Sequence, residues 1–133
     1  MTGNASRAAG TKSPEPSIAG AGFLSDCHTA AIVSRDGSID WYCPGRFDAP
    51  AVFARLLDAD AGHWSIRPVG AFTAERRYVG ESLAICTTFT TEDGEVTLTD
   101  ALAVAATPQG HDLAQRVPRL LVRRVEEIGR AHV

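Results

Sequence analysis

Residues 83–100 read LAICTTFTTEDGEVTLTD, and they carry the strongest secondary-structure signal in the sequence. Its first half alternates apolar with small polar residues, and a period of two is typical of a strand with one buried face. Glu92–Glu95 contains an Asp-Gly turn, and Val96–Asp100 returns the chain. The stretch therefore predicts an antiparallel β-hairpin.

Further strands are predicted on both sides of this hairpin. His28–Ser34 and Ile39–Cys43 are strand-like runs joined by a turn at Asp36-Gly37, which indicates a second hairpin. His63–Arg67 and Arg119–Val125 are additional strand candidates. Strands joined by short turns favour an antiparallel all-β domain.

One short helix is predicted at Ala49–Leu57. Asp48 is a natural N-cap, Pro50 falls in the first turn, and apolar residues recur four positions apart. Together with the strands, this helix completes the expected architecture. We predict an all-β fold, an antiparallel β-sandwich with one short helix.

Length and composition restrict the number of domains, the classes of binding surface and the expected cellular location. The 133 residues suffice for one domain, expected at 18–126, and the polar, Pro-bearing residues 1–17 predict a disordered leader. A net charge of -3 without blocks of like charge argues against a nucleic-acid face or a polybasic membrane surface. The sequence has no secretory h-region, no apolar run of about 20 residues, and an odd number of cysteines, 3. We expect a cytoplasmic protein.

Motifs that carry chemistry are sparse. The sequence holds no P-loop, no nucleophile elbow and no zinc-protease motif. Cys27 and His28 are neighbours on a candidate strand, so their side chains are expected to point to opposite faces. The four histidines lie too far apart for a helical ligand pair: His28, His63, His111 and His132. We therefore expect neither a metal site nor a cofactor.

The densest chemistry lies in Asp36–Phe53, where aromatic rings, carboxylates and an arginine share a short span. Rings can stack on pyranose faces while charged groups bind hydroxyls, so this composition fits a sugar site. Turn and cap chemistry explains the same residues, with Asp36 serving a turn, Asp48 capping a helix and Trp41 filling the core. Both interpretations remain open at this point.

This region resembles the N-terminal domain of bacterial glycoside hydrolase family 15 enzymes, the glucoamylase-like and trehalase-like proteins. The likeness runs through Asp26–Trp41 and Arg46–Phe53 and ends at the Arg119–Val125 strand. It covers nearly all of residues 18–126. The proline of Cys43–Asp48 stands one place earlier than in the family's usual C-x-P-R-F-D loop. Shorter matching motifs lie between, at Leu56–Asp58, Gly62–Trp64, Arg77–Val79, Thr90–Gly94 and Thr99–Asp100.

The resemblance implies a β-sandwich followed by a linker and a helical α/α barrel. The barrel would carry the acid and base of inverting α-glucoside hydrolysis, two carboxyl groups roughly 6.5–9.5 Å apart. No residue of this chain is therefore assigned a catalytic role, and the chain alone is expected to be inactive. Trp41, Arg46 and Asp48 are expected at the rim of the full enzyme's pocket. The implied partners are the barrel and, in the full enzyme, an α-glucoside substrate.

The C-terminal residues 127–133, EIGRAHV, resemble the translation of a sequencing adapter read in frame. We expect a non-native tail on a truncated frame, with an ordinary short charged tail as the alternative. Apolar surface left uncovered by the missing barrel is expected to make the fragment marginally stable. A function of another class stays open: a free-standing β-sandwich that binds carbohydrate or a protein partner.

Overall fold

The computed structural model describes residues 18–105 and 118–129, which form two four-stranded antiparallel sheets. In each sheet every strand pairs with the next one along the chain. This arrangement confirms the predicted antiparallel all-β fold class. Sheet A contains β1 (Gly22–Ser25), β2 (Ala30–Val33), β3 (Ser38–Tyr42) and β4 (Trp64–Ser65). Sheet B contains β5 (Thr73–Tyr78), β6 (Ile85–Thr90), β7 (Gly94–Leu102) and β8 (Leu121–Gly129).

Both predicted hairpins are confirmed, as β2–β3 and β6–β7. Strand β4 lies within the predicted His63–Arg67 strand, whereas β1 and β5 were not predicted. Strand β8 continues beyond Val125 and pairs with β7 as far as Gly129, so the first three residues of the expected tail lie in the sheet. The predicted leader, residues 1–17, and residues 130–133 lie outside the described residues.

The core lies between the two sheets and follows from the alternation along each strand. Leu24, Val33 and Ile39 of sheet A are fully buried, as are Phe89 and Leu98 of sheet B. Burying an aliphatic or aromatic side chain of this size contributes roughly 1.5–3 kcal/mol. These few large residues therefore supply much of the driving force that holds the sheets together.

Polar side chains join the sheets at both of their open sides. On one side the Tyr78 hydroxyl of β5 accepts a hydrogen bond from the Phe23 N–H (3.2 Å) and donates to the Phe23 carbonyl (3.3 Å). Tyr78 therefore satisfies both backbone groups of Phe23 at the free edge of β1. On the other side the Arg123 guanidinium of β8 donates to the Trp64 carbonyl of β4 (2.6 Å). The edge strands are thus tied by hydrogen bonds as well as by apolar contact.

The helix predicted at Ala49–Leu57 is wrong. The segment instead pairs with β3: the Val52 N–H donates to the Tyr42 carbonyl (2.9 Å), and the Tyr42 N–H donates to the Phe53 carbonyl (3.0 Å). The free edge of β3 offers the backbone hydrogen bonds that a helix would otherwise supply. In the described residues the only helical element is a single 3-10 turn at Ile18–Gly20.

Candidate functional site

Three segments that are distant in the sequence meet at one end of sheet A. They are the β1–β2 turn, the loop that follows β3, and the chain just before β8. The Thr29 hydroxyl donates to the Cys43 carbonyl, and the Tyr42 hydroxyl donates to the Arg119 carbonyl (3.4 Å). The Arg119 side chain also lies 3.4 Å from the position that a Cβ on Gly45 would take. We call this group of segments the loop end.

Asp26 organises the β1–β2 turn of the loop end. Its Oδ1 accepts hydrogen bonds from the backbone N–H groups of His28 (2.9 Å) and Thr29 (2.7 Å), an Asx-type turn. The turn places Cys27 at φ 71°, a left-handed conformation that a residue with a Cβ adopts at some cost. The Asp26 carboxylate is fully buried, and its Oδ2 has no hydrogen-bond partner among the described residues.

Burial changes the acid–base chemistry of two neighbouring side chains. Desolvation raises the pKa of Tyr42 above its ordinary value, and the negative charge of Asp26 raises it further. Burial likewise raises the pKa of the Cys43 thiol. Both groups are therefore held in their neutral forms, which disfavours a thiolate nucleophile at Cys43.

The Tyr42 shift predicts a loss of stability at alkaline pH. Below the ordinary tyrosine pKa of about 10, both the folded and unfolded states keep the proton. Above that value the unfolded state releases it first, so the free energy of unfolding falls as pH rises. Tyr42→Phe should reduce this fall, by up to about 1 kcal/mol per pH unit. Urea unfolding at pH 8 and pH 11 measures the difference, with Tyr78→Phe as the control for losing a tyrosine hydroxyl.

The structure brings together two of the three residues expected at the pocket rim. The Arg46 Nε lies 2.9 Å from Asp48 Oδ1, and the Arg46 Nη2 lies 3.2 Å from Asp48 Oδ2. This two-point ion pair is solvent-exposed on the loop end, with 78% and 70% of the side chains accessible. Asp48 does not cap a helix, because residues 49–57 form none, and its carboxylate is engaged by Arg46 instead.

Trp41 lies elsewhere, on the face of sheet A that points away from the core. It is half-buried and stands opposite Ile32, which in turn stands opposite Phe23. Their strand neighbours Leu24, Ala31 and Tyr42 all belong to the core cluster, so these three side chains share the opposite face. We call Phe23, Ile32 and Trp41 the outer row of sheet A. No hydrogen bond or ring contact within the described residues joins Trp41 to the Arg46–Asp48 pair.

Sequence reasoning missed the outer row because β1 was not predicted. Phe23 sits in a short four-residue strand with no turn signal that marks its start. Its membership of the row becomes visible only through the pairing of β1 with β2. The sequence of this strand, GFLS, does not alternate between apolar and polar residues, so its alternating burial is seen only in the structure.

The remaining acidic residues of the dense stretch serve the fold. Asp40 is buried at the β-bulge of β3 and pairs with Arg55 at 2.7 Å, while the Ser38 hydroxyl donates to it. Asp36 accepts a hydrogen bond from the Ser34 hydroxyl within the β2–β3 connection, as a turn residue does. It also forms an ion pair with Arg67 at 3.0 Å. The turn interpretation of Asp36 is confirmed.

Residues 18–105 and 118–129 contain neither a candidate metal site nor a membrane-spanning helix. No group of three or more His, Cys, Asp or Glu side chains there could hold a metal ion. His28 and His63 lie in this part of the chain, whereas His111 and His132 lie outside it. The helical content of the same residues includes nothing long and apolar enough to cross a membrane.

Comparison with known proteins gives a consistent result. The family model described as "Trehalase-like, N-terminal" matches residues 8–125. A trehalase of Mycolicibacterium smegmatis is 42% identical over 106 residues, which are 79% of this chain and 15% of that protein. A trehalase of Mycobacterium tuberculosis is 39% identical over 106 residues, with the same coverage of both chains. Trehalase 1 of Sulfolobus acidocaldarius is 38% identical over 84 residues, 62% of this chain and 15% of that protein.

The matched segment thus spans about one seventh of the length of these curated relatives. No solved structure gives a significant match. The family model nevertheless includes almost the whole of both sheets and the loop end. The chain belongs to the trehalase-like N-terminal domain family.

Proposed function

We propose that this chain is the non-catalytic N-terminal domain of an inverting α-glucosidic hydrolase, trehalase-like or glucoamylase-like, and that it supports a catalytic barrel outside the chain. The observation that carries the proposal is the family match over residues 8–125. Relatives named trehalase match over a segment that is only 15% of their length. Most of a homologous enzyme would therefore lie beyond this domain.

The buried carboxylates support a structural role for the domain. Inverting hydrolysis needs an acid and a base that flank the scissile bond roughly 6.5–9.5 Å apart. Each fully buried aspartate among the described residues is instead engaged in the fold: Asp26 by turn N–H groups, Asp40 by Arg55, and Asp100 by Arg123. Groups held in this way stabilise the sandwich and are shielded from a saccharide.

The two outer faces differ, and this difference suggests where the barrel packs. The outer face of sheet B is mainly polar: beside Cys86, Val122 and Ile128 it carries Thr88, Thr97, Thr99, Glu75, Arg77, Arg124 and Glu126. The corresponding positions of sheet A form the apolar outer row of Phe23, Ile32 and Trp41. An aromatic and aliphatic patch of this kind is typical of the central part of an interface. We assign the outer row of sheet A to the barrel.

A chimera tests this function. Residues 8–125 would replace the matched segment of the Mycolicibacterium smegmatis trehalase, and trehalose hydrolysis would be measured beside the 133-residue chain alone. We expect the chimera to be active and the chain alone to hydrolyse neither trehalose nor maltooligosaccharides. Trp41→Asp should abolish both the soluble yield and the trehalose hydrolysis of the chimera. Thr97→Asp, on the outer face of sheet B, should leave both unchanged. Hydrolysis by the chain alone would contradict the proposal.

The same chimera tests the expected rim role of the Arg46–Asp48 pair. Loss of a hydrogen bond to a charged group costs about 1.5–3 kcal/mol when a ligand uses it. Arg46→Ala should then lower kcat/KM for trehalose by about tenfold or more. Arg67→Ala is the matched control, because Arg67 forms an exposed pair with Asp36 at 3.0 Å and both residues lie within the transferred segment. Equal kinetics for the two variants would remove Arg46 and Asp48 from the rim.

A further inference from the structure

A cleft of about 380 Å³ lies away from the loop end, where the chain after β2 approaches the edge strand β5. Arg35, Ala74, Glu75 and Arg76 line it. Arg35 comes from the β2–β3 connection of sheet A, and Arg76 comes from the middle of β5 in sheet B. The cleft therefore draws one arginine from each sheet.

The two guanidinium groups lie close together around Gly20. Arg76 Nη2 donates to the Gly20 carbonyl (2.5 Å) and Nη1 donates to the Val33 carbonyl (3.0 Å). The Arg35 Nε lies 3.3 Å from the position that a Cβ on Gly20 would take. Burial lowers the pKa of Arg76, and the positive charge of Arg35 lowers it further. The positively charged guanidinium groups of Arg35 and Arg76 therefore lie on the same cleft.

No carboxylate balances these two charges within the described residues. Neither arginine has an acidic group within ion-pair distance there, and the nearby Asp36 is paired with Arg67 instead. Glu75 contributes to the lining of the cleft, but it alternates with Arg76 along β5, and no ion pair among the described residues joins its carboxylate to either arginine. Within the described residues, the positive charge at the cleft is left without a protein counter-ion.

We propose that the Arg35–Arg76 cleft binds an oxyanion, either a phosphate group or a carboxylate. A guanidinium presents planar N–H donors that match both kinds of oxygen pair. Two backbone carbonyls fix Arg76 in place, so its remaining N–H groups are held ready for a ligand. Arg35 is exposed and can close onto the same anion from the other sheet. A bound anion would cross-link the sheets and relieve the repulsion between the two arginines.

Thermal unfolding and calorimetric titration of the 133-residue chain test this site. Sodium phosphate and sodium acetate would each be compared with sodium chloride at matched ionic strength. We expect phosphate or acetate to raise Tm saturably and to bind with a measurable Kd. The anion with the lower Kd shows whether the cleft prefers a phosphate group or a carboxylate. Equal Tm shifts for all three salts, or no binding heat, would overturn the proposal.

Variants localise the effect to the cleft. Arg35→Gln removes an exposed charge, so the chain should still fold, and the Kd for the better anion should rise at least tenfold. Arg35→Lys keeps the charge without the planar fork and should give an intermediate Kd. Arg77→Gln, one position along β5 on the opposite face, is the matched control and should bind as the wild type does. Unchanged binding by Arg35→Gln would exclude this cleft as the site.

Discussion

Replacing Asp100 with alanine is expected to lower the free energy of unfolding by about 3–5 kcal/mol, because it leaves a buried guanidinium without its counter-charge. Arg123 Nε lies 2.7 Å from Asp100 Oδ1, and neither side chain is accessible to solvent. Arg123 also donates to the Gly37 carbonyl (2.7 Å) and lies 5.1 Å from the centroid of the Trp64 ring. This one guanidinium therefore connects β7 and β8 to the turn and the edge strand of sheet A.

Urea unfolding of the chain, followed by tryptophan fluorescence, measures the effect. Arg124→Ala is the control, because it removes the neighbouring arginine from an exposed pair with Glu126 and should cost less than about 1 kcal/mol. A cost for Asp100→Ala as small as that of Arg124→Ala would show that the buried pair contributes little. Loss of any cooperative transition in Asp100→Ala alone agrees with the expectation, since a domain of this size has only a small margin of stability.

Gly37→Ala should be at least as damaging. Gly37 forms the β2–β3 turn at φ 77°, a conformation that costs a residue with a Cβ about 1–2 kcal/mol. A Cβ at this position would also lie 2.3 Å from the Ile66 carbonyl oxygen and 2.8 Å from Phe89 Cζ. Because the first contact is with backbone and the second with a fully buried ring, neither can move away without disturbing the core. We expect a loss of more than about 3 kcal/mol, or no folded protein.

Gly70→Ala separates the cost of the positive φ from the cost of the steric clash. Gly70 also has a positive φ, 90°, but a Cβ added to it would meet nothing within 4 Å. Its substitution should cost only the conformational part, about 1–2 kcal/mol. The two variants would be compared by thermal unfolding. Equal Tm values for Gly37→Ala and Gly70→Ala would show that the close approach of Ile66 and Phe89 to the turn is unimportant.

The parts of the fold that the sequence predicted correctly depend on local signals. The β6–β7 hairpin combines period-two alternation with a glycine-containing turn, and the β2–β3 hairpin combines two strand-like runs with such a turn. In each hairpin these signals lie within about twenty residues. Strand β5, TAERRY, carries little apolar alternation because it is an exposed edge strand, so nothing local marks it. The segment Ala49–Leu57 had helical spacing, but its backbone pairs with β3, a long-range partner that periodicity does not reveal.

The same distinction applies to the candidate site. The turn role of Asp36 follows from its own sequence neighbours and could be predicted. The engagement of Asp40 by Arg55 and of Asp100 by Arg123 depends on how distant strands and loops align, which a single sequence does not show. The outer row of sheet A depends in the same way on the register of three strands. The roles that depend on neighbouring residues could be predicted from the sequence. The ion pairs and the apolar row that join distant segments could be identified only in the structure.

We have proposed that this domain is part of a longer trehalase-like or glucoamylase-like hydrolase. Sequencing the genomic locus outward from the codon for Glu126, with primers inside the gene, tests it most directly. Because the matched segment is only 15% of the mycobacterial relatives, we expect an open reading frame several times the length of that segment. The continuation should show the repeating amphipathic pattern of a helical barrel. A stop codon directly after Val133 would contradict the claim and would favour a free-standing β-sandwich that binds carbohydrate or a protein partner.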